Sequence, residues 1–464
     1  MKHILPLAAL LAALPCIAQD PVPQAAVPAE KAAVIEQIAQ IKEPAELTEL
    51  VDHARREGDK DIELAALDRR IALRPHLGAY RLDKALTLAR DDKKSEVYTL
   101  LVELQNAGYA YDLRGDERFS NVSNTPVWTY IVDNFDANRA HYGSGELAYT
   151  LPREDLLLES LAFDSSRNKL LVGSAREGKV YVVEDGGKLT ALASTDDKNG
   201  MWSVFDLAVD AKRGFLWVAS TAVPHFKGYD AEKDLGRAGI FQFDLKTGKF
   251  IKHFLSPPAQ AGQPFFLSSI VLGKDGEVYV ADAINRAIYQ VRDDQFRRIM
   301  HLPMLTGISA ITVSDDGRTL YMADPQLGIF GVDLATLKPF DVRVPLKLSL
   351  EGISALTWSD GALIAVQASM IPKRVMRFEL SAEGNAIAKV QPLEASHPRF
   401  GTPGSATMDG TTLFVIANQQ KDNYDRFGLL RSKEKLEGTK IIKINANPPP
   451  ADPSGLGPVK FEEE

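Results

Sequence analysis

Two carboxylates stand where short strand-like runs begin: Glu159 in "LLLESLAFDSSRNKLLVGS" and Asp206 in "SVFDLAVDAKRGFLWVAS". Acids brought to one pocket can do general acid/base work when burial separates their protonation, and Glu159 can equally serve as a metal ligand. The competing reading makes each a solvated carboxylate that merely opens a strand. A second polar set closes later runs: Asp282 in "VADAIN", Asp324 in "MADPQ", Gln367 in "AVQAS" and Asn418, beside Gln419, in "IANQQ". Their repeated placement suits ligand contact, and it suits turn duty as well, since such side chains hydrogen-bond nearby backbone. Met201, Trp202, His225, Phe226 and Tyr229 fall in long loops, where aromatics either form a binding rim or pack the loop down.

Other chemistry lacks its signatures. There is no HExxH zinc pair, GxSxG elbow, P-loop or GxGxxG fingerprint, and the eight histidines are scattered, none at ligand spacing from another. A Ser/His/Asp triad stays open, because its members need not be neighbours in sequence. The one cysteine, Cys16, lies in "MKHILPLAALLAALPCIAQD". There Lys2, the apolar residues 4–14 and the small residues near Ala18 read as a secretory signal (1–18) cleaved after Ala18. Pro15 is a poor match to a lipoprotein box at Cys16. The mature chain is then expected to be periplasmic or secreted and free of thiols, which excludes disulfides, cysteine–zinc sites and cysteine nucleophiles. A net charge of -8 with interspersed signs leaves no basic face for nucleic acid. No run after the signal is long enough for a membrane span.

At 464 residues the chain exceeds the size of a single core, and two domains are expected. After a linker (19–29), residues 30–142 carry apolar positions at helical spacing, as in "AELTELVDHARREG", "DIELAALDRRIALRP", "AYRLDKALTLARDD" and "SEVYTLLVELQNAGY". Gly58, Pro75 and Gly108 stop these runs. A shift that places Ile71 over Leu104 resembles a tetratricopeptide-like repeat, which implies a protein or peptide partner on its surface. The alternative is a small helical cap on the next domain. Trp128 and Tyr130 read as core of this region.

From "GELAYTLP" the period changes to short apolar strands divided by Asp-Gly and Gly-Lys turns. One unit recurs six times over 145–446, beginning near Glu159, Asp206, Ser268, Ser309, Ser354 and the "GSATMDG" stretch. The spacing runs from 41 residues (Ser268 to Ser309) to 63 (Asp206 to Ser269), which is propeller-blade spacing with insertions. "GELAYTLP" is placed to supply the outer strand of the last blade and close the ring. The expected fold is therefore an all-α N-terminal helical-repeat domain followed by an all-β six-bladed propeller. A β-sandwich competes poorly, since it does not repeat one signature six times. The tail 447–464, "NPPPADPSGLGPVKFEEE", reads as a disordered Pro-rich acidic extension.

The phrases "SVFDLAVDAKRGFLWVAS", "GKDGEVYVADAINRAIYQV", "SDDGRTLYMADPQLGIFGVDL" and "EGISALTWSDGALIAVQASMIPKRVMRFEL" resemble the SMP-30/gluconolactonase/LRE-like family and related NHL-type propellers. That resemblance, over about residues 145–444, implies a lactonase or related ester hydrolase. It also implies one divalent cation, usually calcium, held over the channel by a Glu, two Asn and an Asp. Glu159 matches the family Glu, although Ser160 and Leu161 replace its Gly-Pro neighbours. Ser309 stands at one Asn position, Ser268 or Ser269 at the other, and Ser354 at the Asp position. Serine hydroxyls are neutral, weak ligands, so a calcium or zinc ion is expected to bind poorly. The expectation is a binding or scaffold module with a degenerate metal site at Glu159, open to a small-molecule ligand at the channel. The alternative is a metal-dependent lactonase using Glu159 and Asp206.

Overall fold

A computed structural model describes residues 29–257, 263–345 and 347–448. The expected signal segment and Cys16 lie outside the described residues, as do nearly all of the linker and tail. Residues up to Arg69 form one compact unit and those from Arg70 onward a second. In the first, α1 (Ala29–Ile38) and α2 (Pro44–Glu57) precede α3 (Lys60–Leu73), which runs on past the division. Pro44 is tolerated in the first turn of α2, where the backbone N–H would lack a helical partner anyway. The helix ends at Gly58, whose φ of 72° is the left-handed conformation that costs glycine little. Leu47, Val51 and Ala54 recur on one face of α2 and are buried. Arg55 pairs with the buried Glu63 at 2.6 Å.

The second unit opens with α4 (Gly78–Arg90), α5 (Lys94–Asn106) and α6 (Pro126–Arg139). Val97, Leu101 and Leu104 of α5 and Trp128, Ile131, Val132 and Phe135 of α6 are buried. Tyr130 is 52% exposed, against the expectation that it packs in the core, because it lies two positions from Trp128 and so on another face of the helix. Tyr109 ties this segment to the β region: its hydroxyl donates to the Glu351 carboxylate at 2.6 Å and accepts the Gly78 N–H at 3.0 Å. Only glycine fits at 78, since a Cβ there would stand 2.3 Å from the Tyr109 ring.

Six antiparallel sheets follow. Strand β1 (Tyr142–Gly143) and β2 (Glu146–Thr150) come first in the chain but join the last two blades. Blade 1 is β3 (Leu158–Asp164), β4 (Lys169–Ser174), β5 (Lys179–Val183) and β6 (Leu189–Ser194). Blade 2 is β7 (Ser203–Asp210), β8 (Phe215–Thr221), β9 (Ala238–Asp244) and β10 (Phe250–Leu255). Blade 3 is β11 (Leu267–Leu272), β12 (Val278–Asp282), β13 (Ala287–Arg292) and β14 (Gln295–His301). Blade 4 is β15 (Ala310–Val313), β16 (Thr319–Asp324), β17 (Gly328–Asp333) and β18 (Lys338–Asp341). Blade 5 is β19 (Ile353–Ser359), β20 (Ala362–Gln367), β21 (Arg374–Leu380) and β22 (Ile387–Ala395), extended by β1 as a fifth strand. Blade 6 is β23 (Ala406–Asp409), β24 (Thr412–Ile416) and β25 (Lys440–Asn445), with β2 as its outer strand. "GELAYTLP" thus closes the ring where the sequence places it, with Leu147 opposite Ile442 and Thr150 opposite Lys440.

Each innermost strand packs on the innermost strands of both neighbouring blades, in a closed cycle that returns from β23 to β3. Apolar clusters fill every gap between blades. Leu171 and Val182 meet Trp202 and Phe241 between blades 1 and 2, and Leu161 and Val172 meet Ile416 and Ile441 between blades 1 and 6. Among the described residues no helix is long and apolar enough to cross a membrane. Ile441→Ala, at a fully buried site in the closing gap, should cost about 2–5 kcal/mol in urea unfolding. Leu235→Ala, 71% exposed, should stay within about 0.5 kcal/mol. Equal costs would contradict a packed closure.

Candidate functional site

The cycle of innermost strands encloses a cavity of about 700 Å³. Glu159, Asp206, Ser268, Ser309 and Ser354 all line it, from five different blades, so the axis brings together residues that are far apart in the chain. Ser405, Gln419 and Lys421 join them from blade 6 and the loop behind it. Phe163, Val209, Leu272, Val313, Trp358 and Met408, late in the same strands, also line the cavity. Thr312, Asp315, Thr357 and Thr407 add polar groups towards the strand ends, and Phe205 and Phe266 add apolar surface near the strand starts.

Most of the polar groups are committed to holding blades together. Ser268 donates to the Ile308 carbonyl at 2.8 Å, Ser309 to the Ile353 carbonyl at 2.7 Å and Ser354 to the Pro403 carbonyl at 3.2 Å, each reaching the following blade. Ser405 carries the series on to blade 1 by accepting the Leu161 N–H at 3.0 Å. Asp206 accepts the Ile270 N–H of blade 3 at 2.8 Å and the Leu207 N–H at 2.9 Å. Burial pushes its carboxyl up to about 6, against these amides and the Ser269 hydroxyl, which favour the charged form.

Glu159 differs. It is partly exposed to the cavity, yet its Oε1 is buried and makes no hydrogen bond. Burial pushes this carboxyl up to about 7, opposed by the Lys421 ammonium and reinforced by Asp422. Glu159 and Lys421 also line a second cavity of about 150 Å³, walled by Leu157, Phe205, Val223 and Phe266. The loop 417–439 brings Lys421 to this place. Its Tyr424 hydroxyl donates to Asp155 at 2.7 Å, and Arg176 clamps the loop by donating to the Gly428 carbonyl at 2.9 Å and to Asp155 at 2.8 Å. Both acids are raised by the same cause, so the environment does not divide them into a neutral and a charged partner.

The donor set does not fit calcium. That ion takes about six to eight oxygens and draws most of its affinity from carboxylates. Here the hydroxyls are neutral, Asp206 is occupied by amides, Asp315 is exposed at the opposite, strand-end mouth, and the Lys421 ammonium lies near the Glu159 carboxyl.

Of the strand-end set only Gln419 lines the channel; Asp282, Asp324, Gln367 and Asn418 do not. Asp282 accepts from Phe266 N–H and Asn285, and Asp324 accepts the N–H groups of Thr306, Gln326 and Leu327. Gln367 donates to the Ser349 and Glu351 carbonyls and accepts from Arg374, while Asn418 joins Gly438 and Lys440. Their polar atoms serve turns and strand ends. Met201 and Trp202 are buried between blades 1 and 2, with Phe226 and Tyr229 packed against the same cluster, so these loop aromatics pack rather than form a rim. Ser405 was legible as the opening of the sixth unit. Lys421 carried no signal, since its place depends on how the loop folds back.

The family model described as Major royal jelly protein matches residues 202–344. No curated protein matches the chain. Among solved structures, a virginiamycin B lyase from Staphylococcus aureus is similar at 16% identity and a TM-score of 0.42, covering 59% of this chain and 82% of its own. A PQQ-bound aldose sugar dehydrogenase from Streptomyces coelicolor is similar at 15% identity and a TM-score of 0.44, covering 65% and 98%. A gluconolactonase from Xanthomonas campestris is similar at 16% identity and a TM-score of 0.43, covering 67% and 92%.

The raised carboxyl has a measurable consequence. Between pH 4.5, the ordinary value, and about 7 the folded chain holds a proton on Glu159 that the unfolded chain releases. Stability of the wild type relative to Glu159→Gln should therefore fall as pH rises through that window, by about 3–3.5 kcal/mol at roughly 1.4 kcal/mol per pH unit, and level off above it. Urea unfolding of both proteins at several pH values checks this. A constant difference would contradict a buried, unpaired Glu159.

Proposed function

We propose that this propeller is a binding module that takes a small polar molecule in its channel and does not use a channel metal. The observation that carries the reading is the unpartnered Glu159 Oε1, which lies where the 700 Å³ channel and the 150 Å³ apolar chamber meet. A buried polar atom without a partner is costly, and a ligand hydroxyl or amide would satisfy it. Phe205, Phe266 and Val223 offer an apolar wall beside it, and Lys421 a donor. The signal-like residues 1–18 support export to the periplasm or outside the cell, and the N-terminal helices, tetratricopeptide-like in sequence, support a protein or peptide partner there.

A second reading is favoured by the carboxyl near 7: Glu159 as general base of a metal-independent lactone or ester hydrolase. Both readings are separated by following acid release from δ-valerolactone, with EDTA and with added calcium. The binding module predicts no release above background in either condition. Release in EDTA that rises with pH through about 7 and vanishes in Glu159→Gln would establish the hydrolase. Release that requires calcium and vanishes in Glu159→Gln would overturn the metal-free channel altogether.

A further inference from the structure

We propose that His141, Glu394 and His397 form a binding site for a zinc-class divalent transition metal at the outer edge of blade 5, away from the channel. One ligand atom from each, an imidazole nitrogen or a carboxylate oxygen, lies within 4.8 Å of the other two. Two imidazoles and one carboxylate suit zinc and its neighbours rather than calcium, and leave a fourth tetrahedral position for water.

The surroundings are shaped around the carboxylate. Strand β1 lays Gly143 opposite Glu394, and the chain turns through "HYGSG". A Cβ on Gly143 would stand 2.3 Å, and one on Gly145 2.7 Å, from Glu394 Oε2. Two glycines thus leave room for a fully buried acid, and the Gly145 N–H fixes its orientation by donating to Oε2 at 2.8 Å. Such outer hydrogen bonds commonly aim a metal ligand. Oε1 is left to face His141 Nε2 at 2.6 Å, and the His141 and His397 rings meet edge to face at 5.5 Å.

An ion would draw the three ligand atoms to its own spacing. Ligand atoms on a tetrahedral zinc stand about 3.3 Å apart when its bonds are about 2.0–2.1 Å. His141 would withdraw by a fraction of an ångström, and its side chain, 41% exposed, has room to do so. His397 is buried, with Nδ1 accepting the Arg399 N–H at 3.1 Å and Nε2 facing the Gly145 carbonyl at 3.3 Å; coordination through Nδ1 gives up the first bond and keeps the second, whereas coordination through Nε2 moves the ring proton to Nδ1 and gives up both. The ion would staple β1, and with it the end of the helical segment, to blade 5.

The test is titration of tag-free, EDTA-treated full-length protein with zinc chloride by calorimetry and with cobalt chloride by visible absorption. The proposal predicts one ion per chain and the absorption bands of a four-coordinate cobalt. His141→Ala and His397→Gln should each weaken binding by at least about 100-fold, and Glu159→Gln should leave it unchanged. No uptake of either ion by the wild type would overturn the site and leave His141–Glu394 as a hydrogen-bonded latch. Uptake that survives both histidine variants, or is lost in Glu159→Gln, would overturn it as well.

Discussion

No blade of this protein can bury both of its faces alone. Each blade places apolar side chains on both sides, and each side is covered by the neighbouring blade, so the structure depends on the circle being complete. Completion falls to a strand that arrives early in the chain. Strand β2 is drawn into blade 6, and the cluster of Leu151, Leu156 and Leu158 with Ile416 and Ile441 seals the last gap. Burying a side chain such as Leu or Ile is worth about 1.5–3 kcal/mol, so one open gap would forfeit several such contributions.

Closure also makes the channel. The strands begin on a common ring, and a polar side chain at each beginning can reach the backbone of the following blade. Ser268, Ser309, Ser354 and Asp206 do this, passing hydrogen bonds from blade to blade, and the three serines stand where the resemblance implies metal ligands. Glu159 keeps a buried carboxylate oxygen without a partner, which sets it apart chemically from Asp206 and the strand-opening serines.

The architecture was legible because alternating strands and Gly/Asp turns recur with a regular unit, and periodicity survives without knowledge of contacts. Strand starts such as Glu159, Asp206, Ser309 and Ser354 were placed on the channel by that same repetition. Strand ends were not separable from ligands in the sequence: Asp324 and Asn418 have the residue types of a site and spend them on turns. Lys421 was invisible because a long loop, clamped by Arg176 and Tyr424, decides its position. His141 and His397 looked scattered for a related reason. Ring closure brings residues 256 positions apart together through the pairing of β1 with β22.

Closure by β2 can be measured directly with paired cysteines. Glu146 and Lys443 are register partners of β2 and β25, and their side chains form an ion pair at 2.9 Å, so they project from the same face. In a Cys16→Ser background, Glu146→Cys with Lys443→Cys should form one intramolecular disulfide on mild oxidation, seen as loss of two free thiols without dimerisation. Two thiols that stay reactive in the folded protein would contradict the closed ring.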